Sequence, residues 1–595
     1  MIGAHISVDR ATVSLAGRDT LRDVTAAFSP GTVTALIGGD GAGKSTLLRL
    51  LAGRAALRGG TAEGVPVDRR NLGYQPADSG VWRQLSVMEN LEFVIRAHRL
   101  PRETARSRTE LLLPQAGLNG ARHRLAGRLS GGMRQKLGVI LATLHRPGLV
   151  LLDEPTTGVD PISRAELWRM ITGAAADGAT VVFSTTYVDE AARAQQVLLL
   201  ADGELLASGT PSEVIDRTPG RLWQCPDLQQ LPAEIIDSSR LWRRAGTHFL
   251  WTAPGEKPPL RGFSPAPGDL ENSSIALLLD RGGPRAARMD FPPLEHQATR
   301  TVGSPPLLEA TGVTRRYGTF SALHDVSMSV AAGEVVGLLG GNGAGKTTLM
   351  RILLGVESAS AGSSSLFGGQ PGRSSRRRLG SVAQGLGLYP GLSARENLDF
   401  SAGVHGTPLS DAAIRFARAC GRAPVSSFSL GTQRLLAYLA ALTHHPELLV
   451  LDEPTSGMDS LSRSRLWQDL RNRAEQGVGV LITTHYMQEA AQCDRLVILD
   501  AGRVCGAGTA SEIRAAHRSL LVTIADWEAS FLRLRDAGIP VLLDGRTLRV
   551  PGGDRDRVAK ALASLAPRAA FSEEVATLEE AMLLMSLKSA VDGGA

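Results

Sequence analysis

The sequence predicts an α/β protein in which one type of domain occurs twice in tandem. Three observations carry this expectation. The chain has 595 residues, too many for a single hydrophobic core. Gly-Gly-Asp-Gly-Ala-Gly-Lys-Ser-Thr at 38–46 recurs as Gly-Gly-Asn-Gly-Ala-Gly-Lys-Thr-Thr at 340–348. Leu-Leu-Asp-Glu-Pro-Thr-Thr-Gly-Val-Asp at 151–160 recurs as Val-Leu-Asp-Glu-Pro-Thr-Ser-Gly-Met-Asp at 450–459. The matched lysines lie 302 residues apart and the matched aspartates 299, a period that fits a duplicated domain and not a solenoid.

Composition narrows the class. Hydrophobic residues make up 43% and charged residues 21%, ordinary for a soluble globular chain. The four cysteines Cys225, Cys420, Cys493 and Cys505 have no CxxC spacing, which argues against a zinc site, an iron–sulfur cluster or a disulfide framework and suits a reducing cytosol. A net charge of +6 is small for this length, so a solvated surface is expected and no nucleic-acid partner. The first ten residues lack the charged-then-apolar pattern of a signal peptide. No apolar run approaches the roughly 18 to 20 residues that span a bilayer.

Each glycine-rich loop stands between apolar runs, Val33 to Ile37 before the first and Leu47 to Leu51 after it, Val335 to Leu339 and Leu349 to Leu354 around the second. That is the strand–loop–helix setting of a phosphate-binding loop. Glycine lets successive N–H groups turn inward toward phosphate oxygens, and the helix N-terminus adds partial positive charge. Nucleotide binding is therefore assigned to Gly38, Gly39, Asp40, Gly41, Ala42, Gly43, Lys44, Ser45 and Thr46, and to Gly340, Gly341, Asn342, Gly343, Ala344, Gly345, Lys346, Thr347 and Thr348. Lys44 and Lys346 are expected to reach the β- and γ-phosphates of ATP, and Ser45 and Thr347 to place a hydroxyl on Mg²⁺.

Two further apolar runs end in paired acids, Asp153-Glu154 and Asp452-Glu453. Adjacent carboxylates at the end of a core strand need a reason, because a buried charge must be paired. Asp153 and Asp452 suit the Mg²⁺ shell, and Glu154 and Glu453 the polarisation of an attacking water.

Upstream of the first acidic pair stands Leu129-Ser130-Gly131-Gly132-Met133. Together with the loops and the Asp-Glu strands, this resembles the ATPase subunits of ABC transporters over nearly the whole chain. The resemblance implies two tandem P-loop NTPase (ABC ATPase) domains, each with a helical subdomain and a small C-terminal appendage. The expected division is 1–220, a first ATP-binding domain; 221–280, an appended subdomain; 281–305, an exposed Pro-, Gly- and Arg-rich linker; 306–518, a second ATP-binding domain; and 519–595, a second appended subdomain. Each appendage is expected to end in a helix, one starting near Asp269-Leu270-Glu271 and one near Thr577-Leu578-Glu579.

In the family, cassettes pair head to tail, and each ATP lies between one cassette's phosphate loop and the other's Leu-Ser-Gly-Gly helix. The resemblance thus adds Ser130, Gly131 and Gly132 to the site around Lys346. It gives Gln75 and Gln384 to the loop that senses Mg²⁺ and the membrane partner. It marks the stretches Val81 to Phe93 and Gly387 to Phe400, which share Leu-Ser-x-x-Glu-Asn-Leu-x-Phe, as the place where a permease helix docks, and Asp160 and Asp459 as the loop joining the sites. His485 matches the switch histidine and Tyr317 the aromatic ring that stacks on adenine.

The halves depart from the pattern unequally. Thr186 stands in register with His485, Leu15 with Tyr317, and Phe428-Ser429-Leu430-Gly431-Thr432 with the Leu-Ser-Gly-Gly segment. In a head-to-tail pair all three departures fall on the site around Lys44. The site around Lys346, with Glu453, His485 and Gln384, is expected to hydrolyse ATP, and the other, which keeps Glu154, to turn over slowly.

The resemblance implies an ATP-hydrolysing subunit of a membrane exporter, with separate transmembrane permease chains as partners and a cytoplasmic location at the inner face of the cell membrane. The tandem ATPase of an importer and a ribosome-associated translation factor remain alternatives. The latter fits less, since its usual Asn-His-Leu-Asp reads Thr-Gly-Val-Asp and Ser-Gly-Met-Asp here. The basic run Arg373 to Arg378 is read as a solvated loop.

Overall fold

The run Val33–Ile37 is buried at every residue, as a strand covered on both faces must be. In the computed structural model it lies within a six-stranded sheet ordered Leu72–Gln75, Leu149–Asp153, Thr180–Thr185, Val33–Ile37, Gln196–Ala201, Glu204–Gly209, all parallel except the last. A second such sheet runs Leu379–Val382, Leu448–Asp452, Gly479–Thr483, Val335–Gly340, Arg495–Asp500, Arg503–Gly508. A three-stranded antiparallel sheet accompanies each, Arg18–Phe28, Ile6–Leu15, Gly59–Glu63 in one case and Phe320–Val330, Leu308–Tyr317, Ala361–Leu366 in the other. The structure describes residues 5–592 except 16, 160, 227–239, 245, 258–261, 283–290, 293–304, 525, 545–546 and 564–568.

Helical subdomains follow as expected. Val87–Ala97 opens with Ser86 and Glu89, and Ala394–His405 with Ser393 and Glu396, each a reciprocal cap of side chain on backbone N–H. The helices Gly131–Thr143 and Leu430–Ala441 start on the capping serines Ser130 and Ser429. Among the described residues no helix is long and apolar enough to cross a membrane.

The chain divides into two units that cut across its two halves. One holds Met1–Pro219, Pro267–Leu278 and His517–Ala576; the other holds Gly220–Ala266, Leu279–Ala516 and Thr577–Ala595. The stretches expected as single appendages, 221–280 and 519–595, are each split, because their pieces find different apolar partners. In the first unit, Leu270 and Leu277 of the helix Leu270–Asp280 pack with Val214 and Ile215 of the cassette that precedes them. In the second unit, Leu578, Ala581 and Met582 of the helix Leu578–Asp592 share a core with Ile513. Both helix starts are capped, by Asp269 accepting from the Asn272 N–H at 2.8 Å and by Thr577 accepting from the Glu580 N–H at 3.2 Å.

The sheets between cassette and closing helix go elsewhere. The sheet Leu241–Arg244, Thr247–Thr252, Arg221–Cys225, Ser264–Pro265 belongs to the second unit and packs on its helix Ser460–Glu475. The sheet Leu542–Asp544, Thr547–Pro551, Arg518–Thr523, Ala570–Val575 belongs to the first unit and packs on its helix Pro161–Ala176. The linker is also less exposed than expected where it is described. Phe291 meets Tyr438 edge to face, ring centroids 5.5 Å apart, and the buried Arg473 donates to the Pro292 carbonyl at 2.7 Å.

Candidate functional site

Both phosphate loops take the conformation that their glycines permit. Gly41 and Gly43 have φ of 83° and 104°, and Gly343 and Gly345 of 87° and 102°, a region that side-chain-bearing residues avoid. A Cβ on Gly38 would stand 2.4 Å from the Leu200 carbonyl oxygen, and one on Gly340 the same distance from that of Leu499, so neither position admits a larger residue. Lys44 and Lys346 begin their helices and fold back over the loop. Lys44 Nζ donates to the Gly38 and Gly39 carbonyls at 2.8 and 3.0 Å, and Lys346 Nζ to those of Gly340 and Gly341 at 2.7 and 3.0 Å.

The second unit has a cleft of about 320 Å³ at its loop, lined among others by Tyr317, Phe320, Gln384, Asp452, Glu453 and His485. His485 Nε2 lies 2.7 Å from Glu453 Oε1. Burial pushes the Glu453 carboxyl up, but the His485 hydrogen bond and the charges of His485, Lys346 and Arg434 hold it net below the usual value. For Asp452 burial prevails and its carboxyl is raised, against a hydrogen bond from Thr483. Tyr317 ends the first strand of its half. Its ring is exposed, its hydroxyl donates to Glu357, and the Arg315 guanidinium lies 4.7 Å from the ring centroid. Phe320, the partner of Tyr317 across the hairpin, adds a second exposed ring to the cleft that the motifs did not reveal.

At the first loop the carboxylate makes a different partnership. Glu154 Oε1 lies 3.3 Å from Lys44 Nζ, and Glu154 Oε2 accepts from the Thr157 hydroxyl at 3.0 Å. Thr186 is buried at the position matching His485, and Leu15 ends the strand where Tyr317 does in the other half. Ser45 Oγ donates to Asp153 Oδ1 at 3.0 Å.

Gln75 and Gln384 part company for a reason that lies one helix away. Gln75 is buried, and its amide donates to Gln135 on the helix Gly131–Thr143. The register-matched residue in the second half is Arg434, whose guanidinium turns instead to the Glu453 carbonyl oxygen. Gln384 is exposed at the cleft. Gln384 thus lines the cleft at the second loop, while Gln75 points its amide at the helical subdomain.

Of the anion-donor helix starts, Ser130 accepts from the Met133 N–H at 3.2 Å, and Gly131 and Gly132 open the helix. Ser429 accepts from the Thr432 N–H at 3.3 Å and also bonds the Thr432 hydroxyl at 2.9 Å. Leu430 packs over Gly457, where a Cβ would meet its Cδ2 at 3.2 Å. Asp459 caps the helix Ser460–Glu475 through the Ser462 N–H at 2.9 Å; Asp160 lies outside the described residues.

The oxygen donors suit Mg²⁺. Each loop offers a hydroxyl and a strand-end carboxylate, Ser45 with Asp153 and Thr347 with Asp452, and Gln384 adds an amide at the second. These are hard ligands, few in number, which fits an ion completed by phosphate oxygens and water. Sequence reasoning missed how the acids are held. Ser184 donates to Asp153 at 2.7 Å and accepts from the Glu154 N–H at 2.8 Å; Thr483 does the same for Asp452 and, at 3.1 Å, for the Glu453 N–H. Glu154 and Glu453 both sit at φ 48°, a strained setting for a residue with a side chain and one that clusters at functional sites. Below them, buried Glu190 accepts from Thr156 and Thr185 at 2.7 and 2.8 Å and pairs with Arg164 at 3.4 Å; Glu489 repeats this with Thr455, Thr484 and Arg463.

Fold and loops together define a tandem P-loop ATPase. A family model described as ABC transporter matches residues 21–157 and 323–456. The chain is 34% identical over 541 residues, 85% of its length and 93% of the relative's, to the probable multidrug ABC transporter ATP-binding protein YbhF of Escherichia coli strain K12. It is 35% identical over 294 residues, 46% of its length and 93% of the relative's, to the daunorubicin resistance ATP-binding protein DrrA3 of Streptomyces coeruleorubidus. It is 38% identical over 224 residues, 36% of its length and 70% of the relative's, to the Nod factor export ATP-binding protein I of Ralstonia nicotianae. The chain belongs to the ABC transporter family as an ATP-binding, ATP-hydrolysing member.

Proposed function

We infer that this chain drives export through separate transmembrane permease chains, from the inner face of the cell membrane, with one competent and one slow ATP site. The observation that carries the permease reading is a matched pair of exposed aromatic contacts. Trp82 and Phe93 have ring centroids 4.2 Å apart, and Tyr389 and Phe400 4.9 Å, all four exposed on the segments marked for permease docking. Exposed aromatic clusters of this kind are characteristic of interaction surfaces. The relatives named for multidrug transport, daunorubicin resistance and Nod factor export support the export direction.

At the Lys346 site the loop amides and Lys346 bind the β- and γ-phosphates, and Tyr317 and Phe320 offer stacking faces to the base. Thr347, Asp452 and Gln384 would hold Mg²⁺, which would neutralise charge on the phosphate oxygens. Glu453, kept ionised below its usual value, accepts a hydrogen bond from the attacking water, and His485 holds that carboxylate in place. Ser130, Gly131 and Gly132 open a helix whose N-terminal N–H groups are donors suited to a γ-phosphate. At the Lys44 site the equivalent carboxylate is tied to Lys44 and Thr186 cannot replace an imidazole, while in the second half Leu430 stands at the helix start where the first half has Gly131.

The test is affinity purification of the tagged chain from detergent-solubilised membranes. Co-purified membrane proteins, lost on Trp82→Ala with Tyr389→Ala, support the reading; ribosomes in their place contradict it. Gel filtration of Glu453→Gln loaded with ATP is expected to give a single-chain species, the halves paired within one molecule.

A further inference from the structure

The small sheet that follows each cassette belongs to the unit of the other cassette. Residues 220–266 leave the first ATP-binding domain, build their sheet on the helix Ser460–Glu475 of the second, and the chain then returns so that Leu270–Asp280 closes the first. Residues 517–576 make the reciprocal excursion onto the helix Pro161–Ala176 before Leu578–Asp592 closes the second. The contacts are specific. Arg243 Nη1 lies 2.9 Å from Glu475 Oε1, the Arg243 carbonyl accepts from the Ser464 hydroxyl at 3.5 Å, and Trp242 beside it is fully buried. On the other side Arg169 Nε donates to the Val541 carbonyl at 3.0 Å, and Val541 is buried. The second sheet has its own core of Leu520, Val522, Phe531, Leu534, Leu548 and Val550, so it is a folded body and not a loose tail.

We propose that these exchanged sheets form a reciprocal latch that keeps the two halves of one chain associated when no nucleotide joins them. Both receiving helices follow the Asp-Glu-Pro-Thr loop of their own cassette, and neither sheet contains a phosphate-loop residue or any of the acids Asp153, Glu154, Asp452 and Glu453, so the latch works without ATP. Its effect is on effective concentration. Without nucleotide, each half still holds an arm of the other, and re-pairing stays intramolecular even if the covalent linker is interrupted.

The experiment places a protease site within residues 283–290, cuts the purified full chain, and removes nucleotide. The two fragments are expected to co-elute on gel filtration as one complex of the uncut mass, and ATPase activity per molecule to stay constant on 100-fold dilution. Fragments that separate without nucleotide, with activity falling on dilution, overturn the latch. A second measurement fixes its geometry: Arg243→Cys with Glu475→Cys, treated with a short bis-maleimide after the cut, should join the two fragments of one molecule on a denaturing gel, while either substitution alone, which leaves the native cysteines, should not. Absence of the joined band, or its appearance only as a product of two whole chains, contradicts exchange within one molecule. Neither readout depends on which ATP site hydrolyses or on a permease, so a failure here is distinguishable from a failure of the transport reading.

Discussion

The imidazole Nε2 of His485 lies 2.7 Å from Oε1 of Glu453. The Glu154 carboxylate instead meets Lys44 Nζ at 3.3 Å, with the shorter Thr186 in the matching place. Removing the imidazole is therefore expected to release the Glu453 carboxylate and cost hydrolysis about 100-fold or more, the usual scale for a positioned acid–base group. His485→Ala should lower kcat by that order and Thr186→Ala by less than about 3-fold. Steady-state phosphate release from the two variants checks this.

Tyr317 presents an exposed ring at the mouth of the second cleft, and Leu15 takes its place in the first half. Loss of a base–aromatic stack costs roughly 1–3 kcal/mol, or about 5- to 150-fold in affinity. Tyr317→Ala should weaken ATP binding by that range, and Leu15→Ala should leave it within about 2-fold. Fluorescent-nucleotide titration of each variant gives the comparison.

His145 and His444 occupy matching places. Each lies near a strand-start carbonyl, Leu72 at 3.1 Å and Leu379 at 3.0 Å, and stacks on a second histidine, His98 or His405. Burial, with the neighbouring histidine, pushes both down to about 4. The folded protein keeps them neutral, while the unfolded chain protonates them below about 6.5. The stability they carry is whole above that pH and is lost as pH falls from about 6.5 to about 4, by about 2 kcal/mol for each after allowing for partial exposure. Denaturation midpoints at pH 7.5 and pH 5 should differ less in His145→Gln with His444→Gln than in the parent; an unchanged difference assigns the pH dependence elsewhere.

Glu489 is buried with Thr455, Thr484 and Arg463 around it, and ties the loop after Glu453 to the residue before His485. Truncating it leaves a buried guanidinium without its counter-charge, a change that costs about 3–5 kcal/mol. Glu489→Ala should lower the unfolding midpoint of the second cassette strongly, and Glu489→Gln less. Urea unfolding followed by tryptophan fluorescence reads both.

What the sequence disclosed was local. The loops at Lys44 and Lys346, the acidic pairs and the Ser130 helix start each act through neighbours a few residues away, so their order along the chain carries their chemistry. The hydroxyls of Ser184 and Thr483 that hold the acids come from strands about thirty positions downstream, and no motif marks them. Gln75 looked equivalent to Gln384 because its distinction arises from Gln135 against Arg434 on a separate helix. The appendages divide between the two units for a similar reason: alternation and capping define a sheet and a helix, but not which cassette each will pack on. The basic run at 373–378 is partly spent within the fold, since Arg378 pairs with Glu447 and lies over the Phe367 ring at 4.0 Å.

The central claim is that the two carboxylates are unequal, and paired substitutions measure it most directly. ATP hydrolysis by Glu453→Gln should fall about 100-fold or more, while Glu154→Gln should keep at least about a third of the parent rate. Equal losses from the two substitutions would contradict the account.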